Sequence, residues 1–342
     1  MKASPKHILV IRLSALGDVA MTVPVLRALL DQNPEVHLTV LTRPFFKPLF
    51  RDIDRLDVIE AEVNSKHKGV FGLYRLARQL NRTHKFYAIA DLHNVLRTQI
   101  LKPFLRCKRV VTIDKGRNEK KALTKGLNFK KLKSTHQRYA DVFNALSFRV
   151  DLKQAVFPKS EALSQKILSR TGEKEGPWIG IAPFAAHEGK MYPPDQMKMV
   201  IAELSKTYKI LLFGGGNDEA KRLQSWTETF ENTVNLAENL SLEEQLDVIS
   251  NLDVMLSMDS GNGHLAAMYG VKVITVWGVT HPFAGFAPFD QPEDYALLAD
   301  REKYPKIPTS VYGNKYPEGY ERAAGSIPPK AIIQKIESAL AD

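Results

Sequence analysis

Cysteine is almost absent from this chain: Cys107 stands alone among 342 residues. That excludes an intramolecular disulfide and any cysteine-based zinc cage, and it suits a reducing compartment. No run of about 18 apolar residues occurs, so no transmembrane helix is expected. The amino terminus, MKASPKHILVIRLSALGDVAMTVPVL, has the outline of a secretory leader. Arg12 and Asp18 interrupt its apolar stretch, and a core strand followed by an amphipathic helix accounts for it better. The expectation is a cytoplasmic product. The nine histidines lack H-x-x-x-H or H-E-x-x-H spacing, so no zinc site is expected. Asp52 and Asp54 outline an acidic pair but have no companion cluster and read as surface. The first strand–helix turn carries no G-x-G-x-x-G, and no P-loop or G-x-S-x-G follows, which removes support for nicotinamide binding, P-loop chemistry and a serine hydrolase.

What is present is an ordinary globular composition, 44% hydrophobic and 25% charged, on a length that fits two α/β domains better than one. Charge is unevenly placed. Between Lys102 and Lys133 twelve Lys/Arg face only Asp114 and Glu119, so this stretch alone carries the +10 of the whole chain. A local basic patch implies an anionic partner there; a solvated basic loop is the plainer alternative.

Short apolar runs alternate with helical patterns from the start. HILVIRL, VHLTVLT, DVIEA, FYAIADL and RVVTI read as buried strands, with helices over 18–30, 72–80, 94–104 and 136–147. A second alternation begins at PWIGIAP and runs through KILLFGGG, TVNLA, DVMLSMD and VKVITVWG. Continuous apolar strands separated by helices indicate βαβ units and parallel sheets. The expected architecture is α/β, with two Rossmann-like domains facing a cleft: residues 1–150, a linker at 151–175, a second domain at 176–328 and a terminal helix at 329–342. Residues 115–133 break the alternation and read as a long functional loop or short helices.

Four strand-end segments carry candidate chemistry, because open α/β sheets bind ligands beyond the carboxyl ends of their strands. In RLSALGDV (12–19), Gly17 lets the backbone turn tightly or approach a ligand closely, and Asp18 is either a helix cap or a functional carboxylate. In SMDSGNGHLAA (257–267), Ser260, Gly261 and Asn262 present N–H groups and a hydroxyl at a helix start. Asp259 suits sugar hydroxyls better than phosphate, and His264 is either structural or functional. In APFAAHEGKMYP (182–193), Lys190 is either a surface lysine or a cation for a leaving diphosphate. In LFGGGNDE (212–219), Gly214 and Gly215 permit close backbone contact, a weak signal alone.

Together, residues 8–24 and 253–278 resemble glycosyltransferase family 9, the ADP-heptose:lipopolysaccharide heptosyltransferases. The resemblance implies a GT-B fold and an inverting, metal-independent transfer with no resident cofactor. It implies donor binding mainly in the second domain and acceptor binding mainly in the first. By match to the family, Asp18 is the general base, Lys190 contacts the diphosphate, Asp259, Ser260 and Gly261 hold heptose and phosphates, and His264 supports the pocket. For the ribose-binding position Glu238 is a candidate, and Asn235 is the other residue that could occupy it. Ala185 and Ala186 stand where the family has paired hydroxyl residues, and Asp-Ser-Gly where many relatives have Asp-Thr-Gly. Ser14, Gly17, Arg117, Lys120 and Lys121 are expected on an anionic, lipid-linked saccharide acceptor. The enzyme is expected to lie peripherally on the cytoplasmic face of the inner membrane.

Two rivals of other classes remain at this level. A GT-B nucleotide-sugar epimerase would share the glycine-rich turns but need no acceptor, which leaves the basic segment without a role. A basic nucleic-acid-binding protein would use that segment, but Phe104 and Phe129 are its only aromatics, too few for a stacking platform.

Overall fold

The computed structural model describes residues 5–238 and 240–341. By its contacts the chain divides into two units. The first comprises 1–115 and 135–156, the second 116–134 and 157–342.

The first unit is a five-stranded parallel sheet. Its elements are β1 (Lys6–Ile11), α1 (Leu16–Ala20), α2 (Thr22–Gln32), β2 (Val36–Thr42), β3 (Leu56–Glu60), α3 (Gly69–Thr83), β4 (Ala88–Asp91), α4 (Leu96–Leu101) and β5 (Val110–Thr112). The chain then leaves through α5 (Arg117–Thr124), part of the second unit, and returns for α6 (Thr135–Ala145). The strand order is β3-β2-β1-β4-β5, with Ile8 in register with Leu38 on one side and Ala88 on the other. Ile8 through Ile11 are fully buried, as expected of a central parallel strand covered on both faces. The helix expected over 18–30 is two helices meeting at Met21. Pro24 is tolerated because it lies in the first turn of α2, where its missing N–H breaks no helical bond. Helix α3 packs Leu73, Leu76, Ala77 and Leu80 into a core with Leu9, Ile11, Ile89 and Leu101.

The second unit holds α7 (Gln165–Thr171), β6 (Trp178–Ala182), α8 (Pro194–Leu204), β7 (Lys209–Leu212), α9 (Gly216–Thr227), β8 (Thr233–Asn235), α10 (Leu242–Ser250), β9 (Val254–Met258), α11 (Gly261–Ala267), β10 (Lys272–Trp277), β11 (Ala296–Leu298) and α12 (Pro329–Ala341). Its six strands are parallel in the order β11-β10-β9-β6-β7-β8. Ser241 caps α10 by accepting from the Glu244 N–H at 3.2 Å, while Glu244 accepts from the Ser241 N–H at 2.7 Å, a reciprocal capping box. Helix α12 is not a separate appendage: Ile332, Ile336 and Ala339 are buried in the core that also contains Val200, Ile201 and Leu204 of α8. Among the described residues no helix is long and apolar enough to cross a membrane.

One boundary differs from the single cut expected at 150. Residues 116–134 pack on the second unit: the Leu132 N–H donates to the Phe283 carbonyl at 2.9 Å, and the Arg301 guanidinium lies 3.6 Å from the Phe129 ring centroid. The alternation of strands and helices carries no trace of this excursion, because it depends on partners some 150 residues away.

Candidate functional site

Each sheet has a point where its strand order reverses, and a crevice opens there beyond the strand ends. In the first unit β1 and β4 flank it, since the chain runs from β1 outward to β3 and then returns to the other side of β1. In the second unit β6 and β9 flank it for the same reason. Ser14, Gly17 and Asp18 follow β1 at the first of these points, and Lys190 after β6 and Asp259 to His264 after β9 lie at the second.

In the first unit the loop after β1 carries Asp18 into the third position of α1, with Ala15 as the cap. The Asp18 carboxylate is about one third exposed and makes two contacts, both through Oδ2: 2.5 Å to Arg12 Nη2 and 3.3 Å to the Ala15 N–H. The capping and functional readings of Asp18 are therefore compatible. Arg12 is 4% exposed, donates to the Leu92 carbonyl at 2.8 Å and lies over the Tyr139 ring. A guanidinium at that depth needs such partners to offset its desolvation. The loop after β4 supplies His93, whose Nδ1 accepts from the Leu13 N–H at 3.4 Å. That contact puts the imidazole proton on Nε2, which stands 3.4 Å from Ser14 Oγ. Burial, reinforced by the charges of Arg12 and Lys115, lowers the His93 pKa to about 4, so the ring is neutral near pH 7. Gly17 lies half-buried in the first turn of α1.

In the second unit Lys190 and Asp259 meet. Lys190, in a 3-10 turn after β6, is 15% exposed at its side chain, and its Nζ lies 2.8 Å from Asp259 Oδ2 and 3.2 Å from the Asp259 carbonyl. Thr280 Oγ1 donates to the same carboxylate oxygen at 2.8 Å. Lys190 is thus no surface lysine. Two glycines bring the loops together: a Cβ on Gly278 would stand 2.3 Å from the Gly189 carbonyl oxygen, which accepts from the Val279 N–H at 2.8 Å. Ser260 caps α11 with extended backbone, and its Oγ lies 3.1 Å from Ser257 Oγ. Gly261 and Asn262 are half-buried at the start of α11, while His264 is buried within it.

Other expected residues fare differently. At the start of α9 the Gly215 N–H donates to Glu219 Oε2 at 2.8 Å, and a Cβ on Gly214 would lie 3.2 Å from the same oxygen. A carboxylate therefore already occupies this turn. Asn235 is tied to the Ala220 carbonyl and the Ala237 N–H, both at 3.0 Å, which leaves the exposed Glu238 as the acid presented beyond β8. Arg117 and Lys121 are exposed on α5. Lys120 is not: it is 8% exposed, with Nζ 3.9 Å from the Phe286 ring centroid, so it packs its own unit together rather than facing solvent. Asp52 is exposed and Asp54 lies apart from any cluster; among the described residues no group of three or more His, Cys, Asp or Glu is placed to hold a metal ion.

Arg12, His93, Tyr139 and Thr280 were not singled out by the sequence. Arg12 did carry a signal, a charged residue continuing a buried apolar strand. Thr280 follows β10 and is visible only once β10 is known to lie beside β9.

Comparison with known proteins gives the family and the fold. The model of glycosyltransferase family 9 (heptosyltransferase) matches residues 73–312. A lipooligosaccharide heptosyltransferase 2 of Haemophilus influenzae is 28% identical over 306 residues, covering 81% of this chain and 84% of that protein. Among solved structures, a family 9 glycosyl transferase from Veillonella parvula superposes with a TM-score of 0.77 at 20% identity, covering 100% of this chain and 99% of that one. The E. coli heptosyltransferase WaaC, solved with ADP, gives 0.70 at 18% identity, covering 97% and 99%. The two parallel α/β sheets are those of a GT-B glycosyltransferase, and the chain belongs to glycosyltransferase family 9, the heptosyltransferases.

Proposed function

We propose that this enzyme transfers heptose from ADP-heptose to an anionic, lipid-linked saccharide of the lipopolysaccharide inner core, with inversion at the anomeric carbon and without a metal. An acceptor hydroxyl attacks that carbon, its proton passes to Asp18, and the bond from the anomeric carbon to the ADP phosphate oxygen breaks. The observation that carries this reading is the placement of Asp18 and Lys190 at the strand-order reversals of their respective sheets. An inverting displacement needs one carboxylate for the attacking hydroxyl and one cation for the leaving diphosphate. Arg12 and the Ala15 N–H both occupy Asp18 Oδ2, which leaves Oδ1 as the oxygen offered to the hydroxyl. Ser14 and Gly17 line the same loop on the acceptor side.

On the donor side, a diphosphate would draw Lys190 from Asp259, and Asp259 would turn to a sugar hydroxyl with Thr280 behind it. Ser260, Gly261, Asn262 and His264 border this centre, and Glu238 is the candidate for the ribose. Metal independence is supported by Lys190 as the resident cation. Arg117 and Lys121 remain candidates for the anionic acceptor. Peripheral contact with an anionic membrane surface is supported by α3 as well as by the basic stretch.

The decisive assay incubates the enzyme with ADP-heptose and a deacylated inner-core acceptor in excess EDTA. Stoichiometric ADP and heptosylated product are expected. Product only after addition of Mg²⁺ or Mn²⁺ would reject metal independence, and epimerised free nucleotide-sugar without acceptor would reject transfer.

A further inference from the structure

We infer that a basic cleft in the second unit binds an anionic group, a phosphate or a carboxylate, on the acceptor saccharide; this rests on the transferase reading above. The cleft has a volume of about 580 Å³ and is lined by Lys125, Phe129, Arg301, Lys306, Lys315 and Tyr316 among others, with no acidic side chain in its wall. Four cations around a concave surface without a carboxylate make a site for an anion. Phe129, Tyr316, Pro305 and Pro317 add apolar surface of the kind against which the C–H face of a sugar ring rests.

The cleft is built, not left over. Its floor comes from residues 299–322, which contain no helix or strand beyond isolated turns. Yet this segment has a small core of its own, in which Val279, Ala299, Ile307 and Ala323 are buried with Tyr304, Tyr316 and Tyr320 packed against them. Long irregular segments held this firmly are commonly functional. Arg301 is fixed from two sides: its Nε donates to the Ile307 carbonyl at 3.0 Å and its guanidinium lies on Phe129. It is thereby preorganised, so little side-chain entropy is lost when it grips a ligand.

The same segment also closes over Lys190. Gly313 adopts φ +75, and a Cβ there would stand 2.5 Å from Lys190 Cγ. The Tyr316 ring lies 2.8 Å from where a Cβ on Gly189 would be, and the Thr309 N–H donates to the Val279 carbonyl at 2.9 Å. The wall of the basic cleft is thus the cover of the lysine assigned to the donor. A second anion can be held one loop away from the diphosphate because each has its own cations.

The test is calorimetric binding to the full-length protein and to its Lys306→Glu/Lys315→Glu variant, two exposed side chains outside the Lys190–Asp259 centre. The probes are ADP, a water-soluble phosphorylated glucosamine disaccharide bearing acidic keto sugars, and the same saccharide without phosphates. The saccharide is expected to bind the variant about tenfold or more weakly, with ADP affinity and melting temperature unchanged. A loss confined to the phosphorylated probe assigns the phosphate, and a loss with both assigns the carboxylate. Equal saccharide affinity in the two proteins, no saccharide binding to the unaltered protein, or a loss of ADP affinity alone would each overturn the proposal. Should the variant fail to fold, Lys306→Gln/Lys315→Gln removes the charge without reversing it and is read the same way. Saccharide binding that depends on these lysines, in a protein that transfers no heptose, would uphold the cleft and sink the transferase reading instead.

Discussion

Lys190 Nζ lies 2.8 Å from Asp259 Oδ2 in a setting where Asp259 is only 8% exposed. In the proposed reaction this pair has two jobs that can be separated. Removing one partner leaves the other charge uncompensated, at a cost approaching about 3–5 kcal/mol for a fully buried pair. Lys190→Ala should therefore lower stability, weaken ADP binding by tenfold to a hundredfold (about 1–3 kcal/mol) and slow transfer. Lys190→Ala/Asp259→Asn removes both charges and should restore most of the stability but not the ADP affinity. If affinity returns with stability in the double variant, Lys190 serves only to hold the carboxylate.

Asp18 is tested by Asp18→Asn, which keeps the shape and the contacts to Arg12 and Ala15 but removes the base. Turnover should fall about 10²-fold or more while ADP affinity stays within a few-fold. Stability should drop by only about 1–2 kcal/mol, less than for a buried pair, because the carboxylate is about one third exposed. Turnover within a few-fold of normal would reduce Asp18 to a helix-capping residue.

Much of this was legible in the sequence, for a physical reason. Parallel strands buried on both faces must be continuous apolar runs, so β1, β2, β6, β9 and β10 announce themselves, and ligand loops must follow their carboxyl ends. Asp18, Lys190 and Asp259 are singled out that way as candidates. What the sequence hid is non-local. Lys120 lies in a run of basic residues and is expected from the sequence on the acceptor, yet it is buried with Phe286 over its Nζ. Gly215 reads as a turn open to close backbone contact until Glu219 is seen folded back on its N–H. The basic stretch also drew attention from a second one: no acid occurs between Glu62 and Asp91, while Lys66, Lys68, Arg75, Arg78, Arg82 and Lys85 do.

Acid should destabilise the protein through its buried imidazoles. Burial, aided by neighbouring positive charge, lowers His93 and His281 from 6.5 to about 4. Their folded pKa values lie below the unfolded ones, so the unfolded chain takes up protons first as pH falls. Stability is full above about pH 6.5 and declines toward pH 4, by up to about 1.4 kcal/mol per pH unit for each ring. Urea midpoints measured between pH 4 and 7 should show this slope, and His93→Gln should remove part of it. A midpoint independent of pH in that window would mean that these rings are protonated in the folded protein.

The second basic region allows a test of the proposed membrane contact. Helix α3 turns Gly72, Leu73, Leu76, Ala77 and Leu80 inward, and its outward face carries Val70, Phe71 and Tyr74 beside Arg75 and Arg78. Phe71 is 86% exposed, Val70 52% and Tyr74 48%; the Tyr74 ring meets Phe104 edge-on at 5.4 Å between centroids, which leaves Phe71 as the most exposed ring of this turn. An apolar turn ringed by cations matches a surface of anionic lipid, where an inserted Phe contributes about 1.5–3 kcal/mol and each cation near the headgroups about 1 kcal/mol. Phe71→Glu should therefore reduce cosedimentation with phosphatidylglycerol vesicles by tenfold or so and leave transfer to a soluble acceptor unchanged, since α3 lies outside both candidate centres. Phe71→Leu should retain most of the binding, and raised salt should weaken it for every variant that keeps its cations, because the Debye length shrinks from about 8–10 Å to about 3 Å at 1 M. Binding that survives Phe71→Glu but is lost when Arg75 and Arg78 become Gln would make the contact purely electrostatic. Equal cosedimentation of all variants would place the membrane contact elsewhere, with the basic residues of 102–133 as the remaining candidates.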